Sequence, residues 1–269
     1  MITHEELSSS FQARHLAVSI LDAVAIAPDT LVGAAHHELT ANGFDQAPVL
    51  DGGTPVGFVL TRDLPGRPSH EPIGLSMTTL GSGNVVSADA TIGSMLEWII
   101  EPGFLFVLEG REITGFVTVS DFNKQPARGH LYLLLARLET GLAELIRDFF
   151  AADPEAALAL LSKRSRREIE RNFESDRSAG IESELIAYLD FSDLVRIVGA
   201  VPPILTRIGG RTTGQWKRQT GGLVVLRNQV MHPVRNVVLA KGGLIALRDR
   251  VRRIESLIAD VEVALSATP

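Results

Sequence analysis

The chain has 269 residues, 45% of them hydrophobic and 22% charged, a balance that can fill the cores of two ordinary domains. It contains no cysteine, which excludes disulfides and thiolate metal sites, and no apolar run of membrane-spanning length. The formal net charge of −6 divides into −9 over residues 1–130 and +3 over residues 131–269, so the two halves are expected to meet different partners.

In chain order, the opening MITHEELSSS lacks the basic and apolar regions of a signal peptide, and a soluble cytoplasmic protein is expected. Residues 1–15 read as a helical extension. An internal repeat follows, covering residues 16–66 and 67–128. APVLDGGTPVGFVLTRDL (Ala47 to Leu64) aligns without gaps on LFVLEGREITGFVTVSDF (Leu105 to Phe122), 58 residues later. Each copy reads as a turn, an amphipathic helix (Leu31 to Leu39, Ile92 to Ile100), two apolar strands around a Gly-containing turn, and an Asp that opens a short helix. Asp29 and Asp89 sit where helix N-caps are expected. One such β-α-β-β-α unit has too little core to stand alone, so the copies are expected to bury each other's sheets.

The repeat resembles the CBS family, whose tandem pairs form the Bateman module. Its signature segment is a Gly, two apolar residues, Thr or Ser, two more residues, then Asp. Gly115, Phe116, Val117, Thr118, Val119, Ser120 and Asp121 match it throughout. The resemblance implies an adenine nucleotide (ATP, ADP, AMP or S-adenosylmethionine), with Thr118 toward phosphate or ribose and Asp121 on the ribose hydroxyls. The first copy departs from the pattern, because Leu60 stands at the Thr position and Thr61 is displaced by one, although Asp63 is in place.

From Leu131 onward the sequence reads as helix after helix, so an α+β chain with a C-terminal helical bundle over 129–269 is expected. Leu131, Leu134, Leu135, Leu138, Leu142, Leu145, Ile146 and Phe149 form one apolar stripe. Asp153-Pro154-Glu155 restarts a helix, the region from Ile181 to Ile208 breaks near Gly199 and at Pro202-Pro203, and Leu244 to Leu265 forms a long seam. KRSRR at 163–167 and Arg248, Arg250, Arg252 and Arg253 are candidate basic patches, or solvated helix faces. His36 and His37 are adjacent and diverge on a helix, so no metal site is expected.

Within this half, LVVLRNQVMHPVR (Leu223 to Arg235) places Leu223, Leu226 and Val230 toward a core. Arg227, Asn228 and His232 are left near a helix end, which Pro233 fixes at His232. With YLDFSDLVRIV (Tyr188 to Val198) upstream, the segment resembles the HEPN superfamily, whose signature is Arg, a polar residue, a few more, then His. The resemblance implies a ribonuclease that needs no metal or cofactor, with Arg227, Asn228 and His232 in a cleft between two subunits of a homodimer acting on RNA. A non-catalytic, ligand-responsive scaffold that dimerises or holds a partner stays open beside it.

Overall fold

The computed structural model describes residues 11–238 and 242–267, and the chain divides into two compact units that meet in sequence between Ala127 and Arg128. Most of the expected extension over 1–15 lies outside the described residues; within them Ala13–Leu16 (α1) make one helical turn.

In the first unit the two repeats fold alike. The first comprises α2 (Val32–Ala41), β2 (Gln46–Asp51) and β3 (Thr54–Leu60); the second comprises α3 (Ile92–Trp98), β6 (Phe104–Glu109) and β7 (Glu112–Thr118). Both hairpins are antiparallel, and both slip register at the same repeat position, between Val49 and Leu50 and between Val107 and Leu108. Short segments before each copy supply the remaining strands: β1 (Val18–Ser19) before the first, and β4 (Thr78–Thr79) and β5 (Val85–Ser87) before the second.

These short segments change places. β1 precedes the first copy but pairs with β7 of the second, Val18 opposite Phe116; β4 precedes the second copy but pairs with β3 of the first, Thr78 opposite Phe58. Only β5 stays with its own copy, running parallel to β6, as Ile26 does beside Val49. The exchange reaches the helices. The first amides of α2 donate to linker carbonyls, Val32 N to Glu71 O at 2.9 Å and Gly33 N to Ser69 O at 3.0 Å, while Ile92 N of α3 donates to Phe11 O at 3.1 Å.

This corrects the expected caps. Asp29 does not cap α2, whose N-cap is Leu31 with no side-chain bond, because backbone carbonyls from the linker already satisfy the free amides. Asp89 does not cap α3 either. Thr91 does so by accepting from Ser94 N, and Asp89 pairs with Arg14 instead.

Two cores result. Ile26, Val32, Leu39, Val49, Val59 and Ile73 pack the first copy. Between the sheets, Phe104 stacks on both Phe58 (ring centroids 4.7 Å, planes 7° apart) and Phe116 (4.9 Å, 10°), with Phe106 edge-on to Phe104. Phe58 and Phe116 are repeat equivalents, so one ring serves both copies.

The second unit is helical throughout its described residues. Its elements are α4 (Gln125–Phe149, beginning just before the boundary), α5 (Pro154–Leu158), α6 (Lys163–Ser178), α7 (Phe191–Ala200), α8 (Pro202–Arg207), α9 (Thr213–Thr220), α10 (Leu223–Met231) and α11 (Gly243–Ser266). The stripe of α4 is buried from Leu131 to Ile146, but Phe149 is exposed and meets Phe150 edge-on. Leu244, Leu247, Val251, Ile254, Ile258 and Val261 of α11 are buried as the seam predicts. Among the described residues no helix is long and apolar enough to cross a membrane.

The motif glycines have a structural reason. A Cβ on Gly57 would strike the Thr78 carbonyl, and one on Gly115 would strike the Val18 carbonyl, so the exchanged strands approach where a side chain is missing. Gly57→Ala and Gly115→Ala are each expected to cost ~1–3 kcal/mol in urea unfolding, through displacement of the paired strand.

Candidate functional site

The second copy's signature folds into a short 3-10 turn, Val119–Asn123, entered through Thr118. Thr118 N and Thr118 Oγ1 both donate to Asp121 Oδ2, at 2.6 and 2.8 Å. Ser120 Oγ lies 2.9 Å from Thr118 Oγ1 and donates to it, because the single threonine proton is engaged with Asp121. Lys124 Nζ reaches Asp121 Oδ1 at 2.7 Å and Leu16 O at 2.7 Å. Thr118 and Asp121 are only 5% and 4% exposed. Three donors thus occupy a carboxylate with about four acceptor sites, leaving about one acceptor site unused.

The first copy is built differently. Leu60 enters the turn Thr61–Asp63 with no side-chain cap, and Thr61 Oγ1 donates to Phe44 O at 2.7 Å. Asp63 is exposed, with Arg62 3.6 Å away. Lys124 has no counterpart there, since Gly66 stands 58 residues earlier. The lysine was absent from the sequence reading because it lies outside the signature, although its difference between the copies was visible.

In the helical unit, Arg227 lies in the body of α10 and is half-buried, its Nη2 3.7 Å from Glu139 Oε1 of α4. Asn228 is exposed. His232 is exposed too and caps the helix with extended backbone (φ −109°, ψ 98°), as the following proline requires. Arg227 and Glu139 face a cleft of about 280 Å³, whose other polar groups are Tyr132 and Thr140 above an apolar floor that includes Leu135 and Val230.

Sequence reading missed two residues of α4. Arg128 is 5% exposed, and its guanidinium donates to Gln229 O at 2.8 Å, to His232 O at 3.4 Å and to Arg235 O. The reason lies in the helix end. The carbonyl of Gln229 would take the amide four residues on, but that residue is Pro233, which has none; Arg128 supplies the donor. Glu139, eleven residues further along α4, lies on the same face as Arg128, three turns away. Both contacts join positions about a hundred residues apart, so no local spacing announced them.

Burial pushes the Glu139 carboxyl above its ordinary range; Arg227 opposes the shift and Asp190 adds to it. Burial likewise raises Asp193, with Asp190 adding to it and a backbone bond to Asp190, Arg196 and Ser165 opposing. Asp190 caps α7 through Asp193 N at 2.8 Å. Each basic patch has members engaged within the fold. Arg253 donates to the carbonyls of Arg218, Gln219 and Gly221 at the end of α9, and Arg166 pairs with Glu170 at 2.6 Å. Among the described residues no group of His, Asp or Glu is arranged to hold a metal ion.

Arg128→Met is expected to cost about 2–4 kcal/mol in urea unfolding, because it strips buried carbonyls of their donor. Adding Pro233→Ala should recover part of this, by restoring an amide for Gln229 O. The raised carboxyls give a pH signature. The folded chain holds these protons more tightly than the unfolded chain, so their ionisation lowers stability as pH rises through the raised values. Glu139→Gln and Asp193→Asn should therefore raise Tm at pH 7, with a gain that shrinks toward pH 4 in thermal melts.

Residues 17–64 match the family model described as "CBS domain". Among solved structures, the CBS domain of the bacterial CNNM/CorC family Mg2+ transporter in complex with ATP is 15% identical, over 44% of this chain and 88% of that one, with a TM-score of 0.38. CBSX2 from Arabidopsis thaliana is 20% identical over 41% of this chain and 89% of its own, with a TM-score of 0.37. The CBS domains of a transcriptional regulator from Streptococcus pneumoniae are 17% identical, over 40% and 92%, with a TM-score of 0.34. No curated protein matches the chain.

Proposed function

We propose that the first unit is an adenine-nucleotide sensor and the helical unit a metal-independent endoribonuclease of the HEPN type, working as a homodimer. The observation that carries the reading is the presentation of Arg227 and His232: a guanidinium in a cleft, and an exposed imidazole at the adjoining helix end. An imidazole there takes the proton of a ribose 2′-hydroxyl as its oxygen attacks phosphorus, and the bond from phosphorus to the 5′-oxygen breaks. The leaving oxygen needs a proton, which a second His232 from the other subunit supplies. Arg227 neutralises charge developing on the phosphoryl oxygens, and Asn228 holds the substrate. The products are a 2′,3′-cyclic phosphate and a 5′-hydroxyl.

For the sensor, support comes from the family match on the first copy together with the complete signature, Gly115 to Asp121, on the second. Thr118 and Asp121 form the nucleotide site, and Asp63 belongs to a site that lacks its threonine. The chain runs directly from Lys124, bonded to Asp121, into α4, which carries Glu139 and Arg128. A nucleotide that binds two states of this turn unequally therefore biases the helix that supports the motif. One observation favours a second reading of the first unit, a structural scaffold that binds no nucleotide: Asp121 is already bonded by Thr118 N, Thr118 Oγ1 and Lys124 Nζ.

Purified protein should cleave single-stranded RNA in EDTA, with Arg227→Ala and His232→Ala each reducing the rate by ~100-fold or more. Calorimetry should give binding of ATP, ADP or AMP that Thr118→Val abolishes and Asp63→Asn preserves. Cleavage untouched by both helical substitutions overturns the ribonuclease site. Absence of any nucleotide heat leaves the first unit as a scaffold.

A further inference from the structure

The cleft between α4 and α10 holds more than an arginine for phosphate, and its remaining groups match the parts of a nucleobase. Tyr132 and Glu139 are seven residues apart on α4, two turns along one face, and both line the cleft with Arg227. Tyr132 is 48% exposed, an aromatic ring left accessible at a cleft wall rather than packed in the core. Its volume of about 280 Å³ lies just below the range of sites for whole drug-sized ligands, which suits one base rather than a nucleotide pair.

The polar groups set which base. Glu139 is an acceptor with two oxygens when ionised, and Arg227 Nη2 stands 3.7 Å from its Oε1, a separation longer than a hydrogen bond. A carboxylate is best met by two adjacent N–H donors. Guanine offers them on its Watson–Crick edge, whereas adenine and cytosine set a ring acceptor beside their amino group and uracil flanks its single donor with carbonyls. Glu139 is half-buried with 30% of its side chain exposed, so donors of a ligand seated in the cleft replace part of its remaining hydration.

Resting on the ribonuclease reading for its RNA, we infer that this cleft is a single-base pocket selecting guanine. Tyr132 stacks on the base, Glu139 accepts from its Watson–Crick donors, and Arg227 meets the neighbouring phosphate. The pocket makes the helical unit guanine-selective at one position of a single strand.

The test uses the full chain and labelled 2′-O-methyl pentanucleotides, which bind but cannot be cleaved through a 2′-hydroxyl. Fluorescence anisotropy should give about tenfold tighter binding when the central uracil is replaced by guanine. Glu139→Gln should reduce that ratio below about twofold. Tyr132→Ala should weaken both oligonucleotides by about tenfold, and Tyr132→Phe should restore them, because stacking needs the ring and not the hydroxyl. Unchanged thermal melts for the Tyr132 variants confirm that they fold. Equal affinities in the wild type, or a guanine preference that survives Glu139→Gln, overturn the pocket. Guanine-selective binding without cleavage of unmodified RNA overturns the ribonuclease reading alone. Cleavage without base preference overturns the pocket alone, and no binding of either oligonucleotide overturns both.

Discussion

The first unit depends on two places where a backbone carbonyl lies against a glycine. At Gly57 and Gly115 the missing side chain lets a strand from outside the repeat close in on the hairpin, and that strand belongs to the other copy's leader. Neither repeat can then complete its sheet from its own contiguous chain. The helix starts obey the same exchange, with α2 satisfied by the linker and α3 by Phe11. The stacked rings Phe58, Phe104 and Phe116 fill the space this arrangement leaves between the sheets, and their burial is shared by both copies. This mutual dependence joins two short repeats into one cooperative unit.

The helical unit has a comparable constraint in Arg128. A proline after a helix removes an amide that the last turn needs, and a buried guanidinium from α4 answers three carbonyls around that defect. The proline and the arginine together hold His232 outside the helix in a defined backbone conformation. Glu139 on the same face of α4 holds the other motif side chain. The motif is thus short in sequence but supported by a second helix. That support carries a cost in stability, because burial raises the carboxyls of Glu139 and Asp193 and so disfavours their charged forms.

The two copies of the repeat show how a small change alters a site. With leucine at position 60 the turn has no side-chain cap, Thr61 Oγ1 bonds the Phe44 carbonyl, and Asp63 is exposed. In the second copy Thr118 and Lys124 converge on the buried Asp121, and Ser120 bonds the Thr118 hydroxyl. The difference is one of pre-organisation: one carboxylate is held by buried neighbours, the other is exposed with Arg62 3.6 Å away.

By itself the sequence determined the repeat, its paired hairpins, the apolar stripes of α4 and α11, and the helix end before Pro233. All of these follow from local spacing, from the period of apolar residues, or from what glycine and proline allow at their own positions. Tertiary structure alone decided that Asp29 and Asp89 are not caps, that β1 and β4 trade copies, and that Arg128 and Glu139 belong with Arg227 and His232. The physical reason is shared. A two-residue strand has no pattern to announce its partner, a free amide accepts any carbonyl brought to it, and a buried charge is explained only by groups a hundred residues away.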